Sequence, residues 1–473
     1  MEVQFKKLEN QDVLNLKNYY KNCSFLASNY SAIFSVMWKN HLGMNFAIIE
    51  NCLVLQNEYA GKKYFYYPVS LTSSKEEEFK ALDKIEDYCK KNYIKLNFSA
   101  VPESRITDIV LRYGVDLKIS NSRKWRDYLY NAEDFITYQG KKFSGQRNHV
   151  NKFKKLYPNY EFLKLSGKDG EKIYTFLKGY EYRQLLKNSV MAEEEMQGVY
   201  DLLPYLDELD LKVGAISVDG KIIAVSVAEK CGEQLIIHIE KALSEYSGAY
   251  PTMAHEMAKA YAGDAKYINR EDDSGDAGLR KSKLQYNPCG LVNKYDVTPY
   301  RIIDGIKRIP SIACERVTIG EITENHINEL YRLEFDRERN KFWGYDWREH
   351  VKGEPDKNFF LASIKKDFEN KWEVPAGIFL NGKLIGEVVL HNFGYSSECE
   401  IGFRLLPEYE GFGYAQEAAK GYIYYALMEL NVETVNAKCF KENERSKKTL
   451  ENLGMRKFAE DEMFYYFYTT AKN

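Results

Sequence analysis

The sequence predicts an α/β protein in which one β-β-β-α unit is used more than once. Two hairpin signals carry this prediction, an Asp-Gly turn at 219–220 and an Asn-Gly turn at 381–382, each between apolar runs. Such dipeptides favour two-residue type I′ turns between antiparallel strands. A third apolar run, a glycine loop and a helical pattern follow each hairpin. The turn glycine Gly220 precedes Gly248 by 28 residues, and the turn glycine Gly382 precedes Gly411 by 29.

A fainter third copy is expected at 45–91, where apolar runs precede a charged helical segment after Ser74 and no glycine loop follows. A chain of 473 residues with 44% hydrophobic content is long enough and apolar enough for several packed domains. The proline-spaced stretch 287–312 offers the best boundary. The predicted domains are 1–125, 126–305 and 313–473.

Composition excludes some classes of protein. A net charge of −2 argues against a global polyanion binder, although local basic patches are still possible. The eight cysteines include no CxxC pair, so we expect reduced thiols, a cytoplasmic protein and no metal site. The N-terminus lacks the apolar core of a signal peptide. The apolar run 222–228 is too short to cross a bilayer, so no transmembrane segment is expected.

The most informative segment is 408–422, which follows the apolar run 401–406 and opens a helical pattern. Gly411 and Gly413 allow the backbone to approach an anion closely. The unsatisfied N–H groups of the helix start, and the positive end of its dipole, then face that anion. Strand, glycine loop and helix together predict a phosphate site, although a tight turn alone would also explain two glycines.

This segment resembles the acyl-CoA loop of the GNAT N-acetyltransferases, whose pattern is Gln/Arg-x-x-Gly-x-Gly/Ala. Gly413 and Ala415 match the pattern, and Glu410 replaces the usual Gln or Arg. The resemblance implies that acetyl-CoA is the co-substrate and that backbone amides make most of its contacts. The residues expected to bind it are Phe403, Leu405, Glu410, Gly411, Phe412, Gly413, Tyr414, Ala415 and Asn443.

A second motif lies at 441–455. Asn443 is a good N-cap, Leu450 and Leu453 form an inward stripe, and Gly454 suits the position after the helix. A capped amphipathic helix accounts for this pattern by itself. The segment is also similar to the second GNAT motif, Asn-x-x-Ser/Ala followed by Leu-Gly-Phe, in which the Asn side chain contacts the cofactor.

The subtype follows from three positions. Leu450 stands where many GNAT enzymes have a general-acid Tyr. Ser446, three residues after the Asn, and the run Glu400-Ile-Gly-Phe resemble the ribosomal-protein N-terminal acetyltransferases. The resemblance implies that Ser446 protonates the departing CoA thiolate and that Glu400 is the base for the amine. An edge carboxylate in a salt bridge is the alternative for Glu400.

The acceptor site is expected upstream, in the aromatic and charged stretch 337–347. Trp343 and Tyr345 are the candidates for substrate selection, and a packed aromatic corner is the equally weighted alternative. The expected acceptor is an amine-bearing small molecule or a protein N-terminus. We expect direct transfer without a covalent enzyme intermediate.

The N-terminal part resembles another family. The segments 140–153 and 267–288 are similar to the phosphatidylglycerol lysyltransferase C-terminal-like proteins, which have a tandem GNAT-like fold. With the C-terminal domain this resemblance implies three GNAT-like units. Members with known activity transfer an aminoacyl group from tRNA to a lipid. Arg147, Arg270 and Arg280 are candidate substrate contacts.

Other interpretations of these charges stay open. A solvated helix face explains the basic cluster around Arg147, and carboxylates of the acidic run after Arg270 are expected to pair with Arg270, Arg280 and Lys283. The favoured function is an acetyl-CoA-dependent N-acetyltransferase. One rival is an aminoacyl-tRNA-dependent transferase in 126–300, so that tRNA is a possible but not favoured partner. The other is a non-catalytic N-terminal half that binds a partner.

Overall fold

A computed structural model describes residues 3–21, 23–59, 61–92, 94–114, 116–184, 190–343, 346–349, 351–395 and 397–471. These residues form two compact units, the first from 1–111 with 118–298 and the second from 112–117 with 299–473. The described residues contain three sheets, each with helices alongside. The division of the first unit at residue 125 stays a prediction.

The first unit carries two of these sheets. Its strands are β1 Lys6–Lys7, β2 Asn45–Ile49, β3 Cys52–Tyr59, β4 Lys62–Phe65, β5 Val69–Ser70, β6 Phe98–Pro102, β7 Leu117–Ser120, β8 Asp127–Asn131, β9 Tyr160–Leu165, β10 Lys212–Val218, β11 Lys221–Cys231, β12 Gln234–Ala242, β13 Tyr267–Asn269, β14 Gly290–Val292 and β15 Lys294–Pro299. Its helices are α1 Val13–Tyr20, α2 Ala32–Met37, α3 Lys75–Lys91, α4 Ile106–Tyr113, α5 Ala132–Thr137, α6 Ser144–Leu156, α7 Gly170–Gln184, α8 Val190–Leu202, α9 Ala249–Tyr261 and α10 Ala277–Leu284.

The second unit is built on the third sheet. Its strands are β16 Ile312–Ala313, β17 Thr318–Gly320, β18 Glu373–Leu380, β19 Lys383–His391, β20 Glu398–Leu405, β21 Thr434–Phe440, β22 Arg456–Glu460 and β23 Phe464–Thr470. Its helices are α11 Ile302–Gly305, α12 Ile327–Phe335, α13 Arg337–Asn340, α14 Lys357–Glu369, α15 Tyr414–Tyr424 and α16 Glu444–Asn452.

The strand orders show where the sequence neighbours pair. The first sheet runs β1-β2-β3-β4-β6-β15-β7, with β5 beside β3. The second runs β14-β8-β13-β12-β11-β10-β9, and the third β16-β17-β18-β19-β20-β21-β23-β22. In all three, a hairpin leads to a strand that pairs in parallel with the strand beyond the next helix. The α/β fold of three GNAT-like units is confirmed.

The hairpin turns follow from local chemistry. Asp219 and Gly220 have φ of 49° and 81°, and Asn381 and Gly382 have φ of 52° and 78°. Both central residues of each turn are therefore left-handed, which is the type I′ geometry that Asp, Asn and Gly tolerate best. The strands on either side pair directly up to the turn in both hairpins.

A split between parallel strands creates the space for a site. β20 pairs with β21 only over Glu398–Glu400 and then continues to Leu405 beside β19 alone. β12 pairs with β13 only over Gln234–Ile236 and continues to Ala242. Backbone groups beyond each split face an opening instead of a neighbouring strand.

Side-chain alternation gives the third sheet two different faces. Ile401 and Leu405 are buried in a core that includes Ala418 and Tyr422 of α15. Successive strand residues point to opposite faces, so Glu400, Gly402 and Arg404 lie on the other side. A second cluster, with members from α12 and α14, covers that side: Leu330, Phe360, Leu361, Phe379 and Leu384.

Candidate functional site

The glycine loop of the second unit joins β20 to α15. Gly411 and Gly413 have φ of 82° and 81°, and Gly413 is the N-cap of the helix. A Cβ on Gly411 would meet no heavy atom within 4 Å, and one on Gly413 would lie 3.4 Å from a guanidinium nitrogen of Arg316. The first amides of a helix lack acceptors within it. The loop therefore presents N–H groups with room for an anion in front of them.

Charged side chains flank this loop. Arg316 donates to the carbonyl of Phe412 at 2.9 Å, pairs with Glu417 at 2.8 Å and stacks on the Tyr414 ring at 4.9 Å. Burial opposes ionisation of Glu417, but hydrogen bonds from the backbone N–H groups of Arg316 and Val317 hold its pKa below the usual value. The Phe412 side chain is 61% exposed.

The departure at Glu410 has a structural partner. The Glu410 carboxylate forms an ion pair with Arg445, 2.8 Å away in the first turn of α16. Arg445 is 83% exposed, so its guanidinium also faces solvent beside the loop. The second motif therefore places a positive charge beside this loop position.

Two predicted cofactor residues lie on the helix side of β20. Leu405 is buried, and Phe403 is half-buried against the same core. Their side chains pack between the sheet and α15, so the group that each can offer to a cofactor is its backbone. Their predicted contact with the cofactor stays a prediction.

The second motif forms the helix that its sequence indicates. The side-chain oxygen of Asn443 accepts from the backbone N–H of Ser446 at 3.1 Å and caps α16. Leu450 is 1% exposed. The capped amphipathic helix is thus present, and the hydroxyl of Ser446 is not needed for the cap. The catalytic role of Ser446 and the cofactor contact of Asn443 stay predictions.

Glu400 lies at the split in the third sheet, as the last residue of β20 that pairs with β21. Its Oε2 accepts from Nδ2 of Asn392 at 3.0 Å, and its Oε1 is 3.6 Å from Nζ of Lys438 and 3.9 Å from Nε2 of His391. Its side chain is 17% exposed. The salt-bridge alternative is therefore also present in the geometry. These partners were not predictable from the sequence, because the length of the β19–β20 connection does not fix which residues of the two strands pair.

Trp343 lies on the same face of the sheet as Glu400. A Cβ on Gly402 would lie 3.5 Å from its ring, and the guanidinium of Arg404 stacks on it at 4.2 Å. Arg404 is fixed by Glu387 at 2.7 Å and by Glu334 at 2.5 Å. The ring is half-buried and lies against Gly402, two residues along the strand from Glu400. It therefore forms a wall beside the Glu400 carboxylate. Tyr345 lies outside the described residues.

The matching loop of the second sheet is built differently. Gly248 has a φ of 90° and caps α9, but a Cβ there would lie 2.7 Å from the carbonyl oxygen of His149 in α6. The Ala249 amide donates to the Tyr246 carbonyl at 3.0 Å. Here α6 covers the loop and part of its donor capacity is used internally.

The three arginines predicted in the first unit do not form one cluster of contacts. Arg147 donates to the carbonyls of Tyr138 and Gly140, and Arg280 pairs with Asp273 through two bonds of 2.8 and 2.9 Å. These hydrogen bonds hold the pKa of Asp273 well below its usual value. Both arginines thus have structural partners, and their predicted substrate roles stay predictions.

Arg270 is different. It pairs with Glu240 of β12 at 2.8 Å, and the two side chains are 12% and 8% exposed. Its Nη1 and the Oε2 of Glu240 are buried without a hydrogen-bond partner among the described residues. Buried polar atoms are normally satisfied, so this pair has capacity for a polar ligand just beyond the second split.

His238 lies between two carboxylates in the same sheet. Its ring nitrogens are 3.0 Å from Glu229 and 2.8 Å from Glu271. Burial alone would lower its pKa, but both carboxylates outweigh burial and raise it to about 9. His238 is therefore a buried, charged partner of two acids.

Burial, with Arg270 nearby, lowers the pKa of Lys283 to about 8.

The split strands, the open glycine loop and the capped second helix define the second unit as a GNAT-type acyltransferase domain. The profile for the acetyltransferase (GNAT) domain matches residues 316–456. The profile for the phosphatidylglycerol lysyltransferase C-terminal domain matches residues 23–298, more than half of the chain. The chain belongs to that family and carries a GNAT acyltransferase domain after it.

Individual relatives match parts of the chain. A crystal structure of a conserved protein of unknown function from Bacteroides thetaiotaomicron is 25% identical, covers 63% of this chain and 100% of its own, and has a TM-score of 0.57. The uncharacterized N-acetyltransferase YnaD of Bacillus subtilis is 32% identical over 23% of this chain. An uncharacterized protein of Mycoplasmoides gallisepticum is 24% identical over 42%. The chain spans 63% and 65% of the length of these two curated relatives.

Neither a membrane-spanning helix nor a metal-binding cluster is found among the described residues. Within them, no helix combines the length and the apolar character that a bilayer crossing needs. The same residues contain no group of three or more His, Cys, Asp or Glu side chains arranged to hold a metal ion.

Proposed function

We propose that the protein is an acetyl-CoA-dependent N-acetyltransferase whose active site lies in the second unit. The observation that carries the proposal is the open loop at 411–415. This loop follows strand β20, and the same strand places Glu400 at the split. An anion site and a carboxylate on one strand are what transfer from a CoA thioester to an amine requires. The GNAT match over 316–456 supports the same reaction class.

Each proposed residue has one task. Acetyl-CoA, when bound, supplies an activated acetyl thioester. The amides of Gly411–Ala415 hold its pyrophosphate, and a backbone N–H beyond the split polarises the thioester carbonyl. Glu400 takes the proton from the amine as the N–C bond forms. Ser446 gives its proton to sulfur as the C–S bond breaks and regains one from water, to which Glu400 releases the amine proton, so no covalent enzyme intermediate is needed.

The proposed acceptor is an amine-bearing small molecule or a protein N-terminus. Trp343 is the wall against which it lies, because the ring sits on the Glu400 face and is held from below by Arg404. Each type of acceptor first loses a proton from its ammonium group. It then presents one neutral amine to the Glu400 carboxylate. Acetylation of a peptide panel and of small amines, with Trp343→Ala as a comparison, separates the two.

The N-terminal tandem pair, proposed as 1–125 and 126–305, serves recognition and does not bind CoA strongly. The support is the crowding at Gly248, the N-cap of α9, where a Cβ would lie 2.7 Å from the backbone oxygen of His149; one on Gly413, the N-cap of α15, would lie 3.4 Å from the end of the Arg316 side chain. Binding of a partner in this half would account for its retention beside a separate enzyme domain.

A second candidate function rests on Glu240 and Arg270. Family membership and the two unsatisfied buried atoms favour an aminoacyl group as ligand, with its ammonium on Glu240 and its ester carbonyl on Arg270. The chain would then be an aminoacyl-tRNA-dependent transferase centred on 126–300. Salt-dependent retention of aminoacyl-tRNA, lost in Arg270→Gln, would support this candidate.

Calorimetry with acetyl-CoA on the whole chain tests the main proposal. We expect one site per chain, abolished by Gly413→Val and unaffected by changes at Gly248. Two equivalents of acetyl-CoA per chain would show that the tandem pair binds CoA as well. Absence of binding at millimolar acetyl-CoA would overturn the acetyltransferase assignment.

A further inference from the structure

Strand β19 is followed by a residue with an uncommon backbone conformation. Asn392 follows the last strand residue, His391, and has a φ of 51° in the left-handed region. This region is unfavourable for most L-residues, although Asn tolerates it better than others. The turn carries the Asn392 side chain back toward the neighbouring strand, where its Nδ2 donates to Oε2 of Glu400 at 3.0 Å.

The other carboxylate oxygen faces different groups. Oε1 of Glu400 is 3.6 Å from the ammonium of Lys438, on the far side of the split, and 3.9 Å from the ring of His391. Burial lowers the pKa of His391, so its imidazole is neutral near pH 7. Tyr466 of β23 also interacts electrostatically with Glu400, and Glu398 lies two residues away along the same strand.

We propose that Asn392 is a positioning residue that holds the Glu400 carboxylate aimed at the acceptor amine. The inference rests on the proposed role of Glu400 as base. One oxygen is fixed by the amide of Asn392, which leaves Oε1 as the oxygen that receives the proton. As the new N–C bond forms and the C–S bond breaks, the amine proton passes to Oε1.

Asn392 can position Glu400 because a carboxylate, as a charged acceptor, forms a strong hydrogen bond with an amide donor. A hydrogen bond to a carboxylate is stronger than one between neutral groups and favours the ionised form. Without the amide of Asn392, the carboxylate loses this bond and is free to turn away from the acceptor amine. The strained backbone at this residue is consistent with a position selected for its side chain.

Asn392→Gly separates side chain from backbone, because glycine adopts a positive φ without strain. We expect kcat to fall roughly tenfold, as for loss of one charged hydrogen bond. We also expect the acidic limb of the pH profile of kcat/KM to move up by about 1 pH unit. The Kd for acetyl-CoA should not change.

Asn381→Gly is the matched control. Asn381 also has a left-handed φ, of 52°, but it lies in the hairpin turn at the opposite end of β19. Its pH profile should match that of the unmodified protein. Asn392→Asp puts a like charge beside Glu400 and should move the acidic limb further in the same direction as Asn392→Gly.

The outcomes are distinguishable. If Glu400→Gln abolishes turnover while Asn392→Gly leaves both kcat and the acidic limb unchanged, the positioning role is wrong and the proposed base stands. If Glu400→Gln itself leaves turnover unchanged, the base assignment is wrong and the positioning role falls with it. An equal shift in Asn381→Gly would also overturn the inference, since it would trace the effect to strand β19 as a whole.

Discussion

Arg445 in the first turn of α16 is bound to Glu410 in the glycine loop, with 2.8 Å between guanidinium and carboxylate. The pair joins the two sequence motifs of the acyltransferase domain directly. Because Arg445 is largely exposed, the pair adds little to folding stability; exposed ion pairs contribute about 0–1 kcal/mol. Its consequence is electrostatic, at the place where a pyrophosphate would bind.

Glu410→Gln is therefore expected to tighten acetyl-CoA binding. The change removes a negative charge near the phosphates and leaves the Arg445 guanidinium unpaired beside them. We expect a roughly three- to tenfold lower Kd at low salt, with a smaller effect at high salt because of screening. Arg445→Gln should change the Kd in the opposite direction. Calorimetry at two ionic strengths measures both, and a weaker Kd in Glu410→Gln would contradict the argument.

Gly413→Val should block acetyl-CoA binding. The residue has a φ of 81°, which β-branched residues do not adopt readily, and its Cβ would lie 3.4 Å from a guanidinium nitrogen of Arg316 beside the loop. We expect at least a tenfold higher Kd. Gly353→Val is the control, since Gly353 has a φ of 84° in an exposed loop with nothing within 4 Å of its Cβ position. Similar destabilisation of both variants, with loss of binding only in the first, is the expected result.

Ser446→Ala should lower turnover more than cofactor affinity. The Asn443 cap uses the backbone N–H of Ser446, so the helix keeps its cap when the hydroxyl is removed. A proton donor to the thiolate matters most as charge develops, so we expect a roughly 10- to 100-fold fall in kcat. Thr449→Ala removes another hydroxyl from α16 as a control. Equal kcat in both variants would make Ser446 an ordinary helix residue.

Glu373→Gln should change the pH dependence of stability. Burial, helped by nearby Glu387 and Asp367, raises the pKa of Glu373 to about 8. A raised carboxyl pKa means that the folded state binds more protons than the unfolded state between about pH 4.5 and 8. The free energy of unfolding therefore falls as pH rises through this window. Glutamine stays neutral at every pH, so Glu373→Gln removes the part of this fall that is due to Glu373.

Urea midpoints at pH 5.5 and 9 measure this effect. We expect Glu373→Gln to gain at least about 1 kcal/mol over the unmodified protein at pH 9 relative to pH 5.5. Glu369→Gln changes an exposed carboxylate on α14 and should show no such difference. The same pH response in all three proteins would show that Glu373 is not kept neutral by its surroundings.

Local features of the fold were predictable from the sequence, and long-range packing was not. Two turns, Asp219-Gly220 and Asn381-Gly382, depend on adjacent residues. The cap by Asn443 depends on a residue three positions away. Each of these features can therefore be predicted from a short segment of sequence. The covering of Gly248 by α6 depends on residues about 100 positions apart. No periodicity reports such a contact.

The same limit applies within the site. Glu400, Gly411 and Gly413 could be named as candidates from motif spacing alone. Trp343 could be named as an aromatic candidate, but its packing over Gly402 follows from tertiary structure. His238 shows the limit most clearly, because nothing near it in sequence indicates that Glu229 and Glu271 bind both of its ring nitrogens.

The place of β15 between β6 and β7 bears on how the chain emerges from the ribosome. β6 ends at Pro102, yet the strand that completes its edge begins only at Lys294. At a synthesis rate of about 5–20 residues per second, the edge of β6 stays open for roughly 10–40 seconds. An open edge is a template for pairing with other chains. The first sheet is therefore finished last in the first unit, and nascent chains are exposed to mispairing until the whole tandem pair has been made.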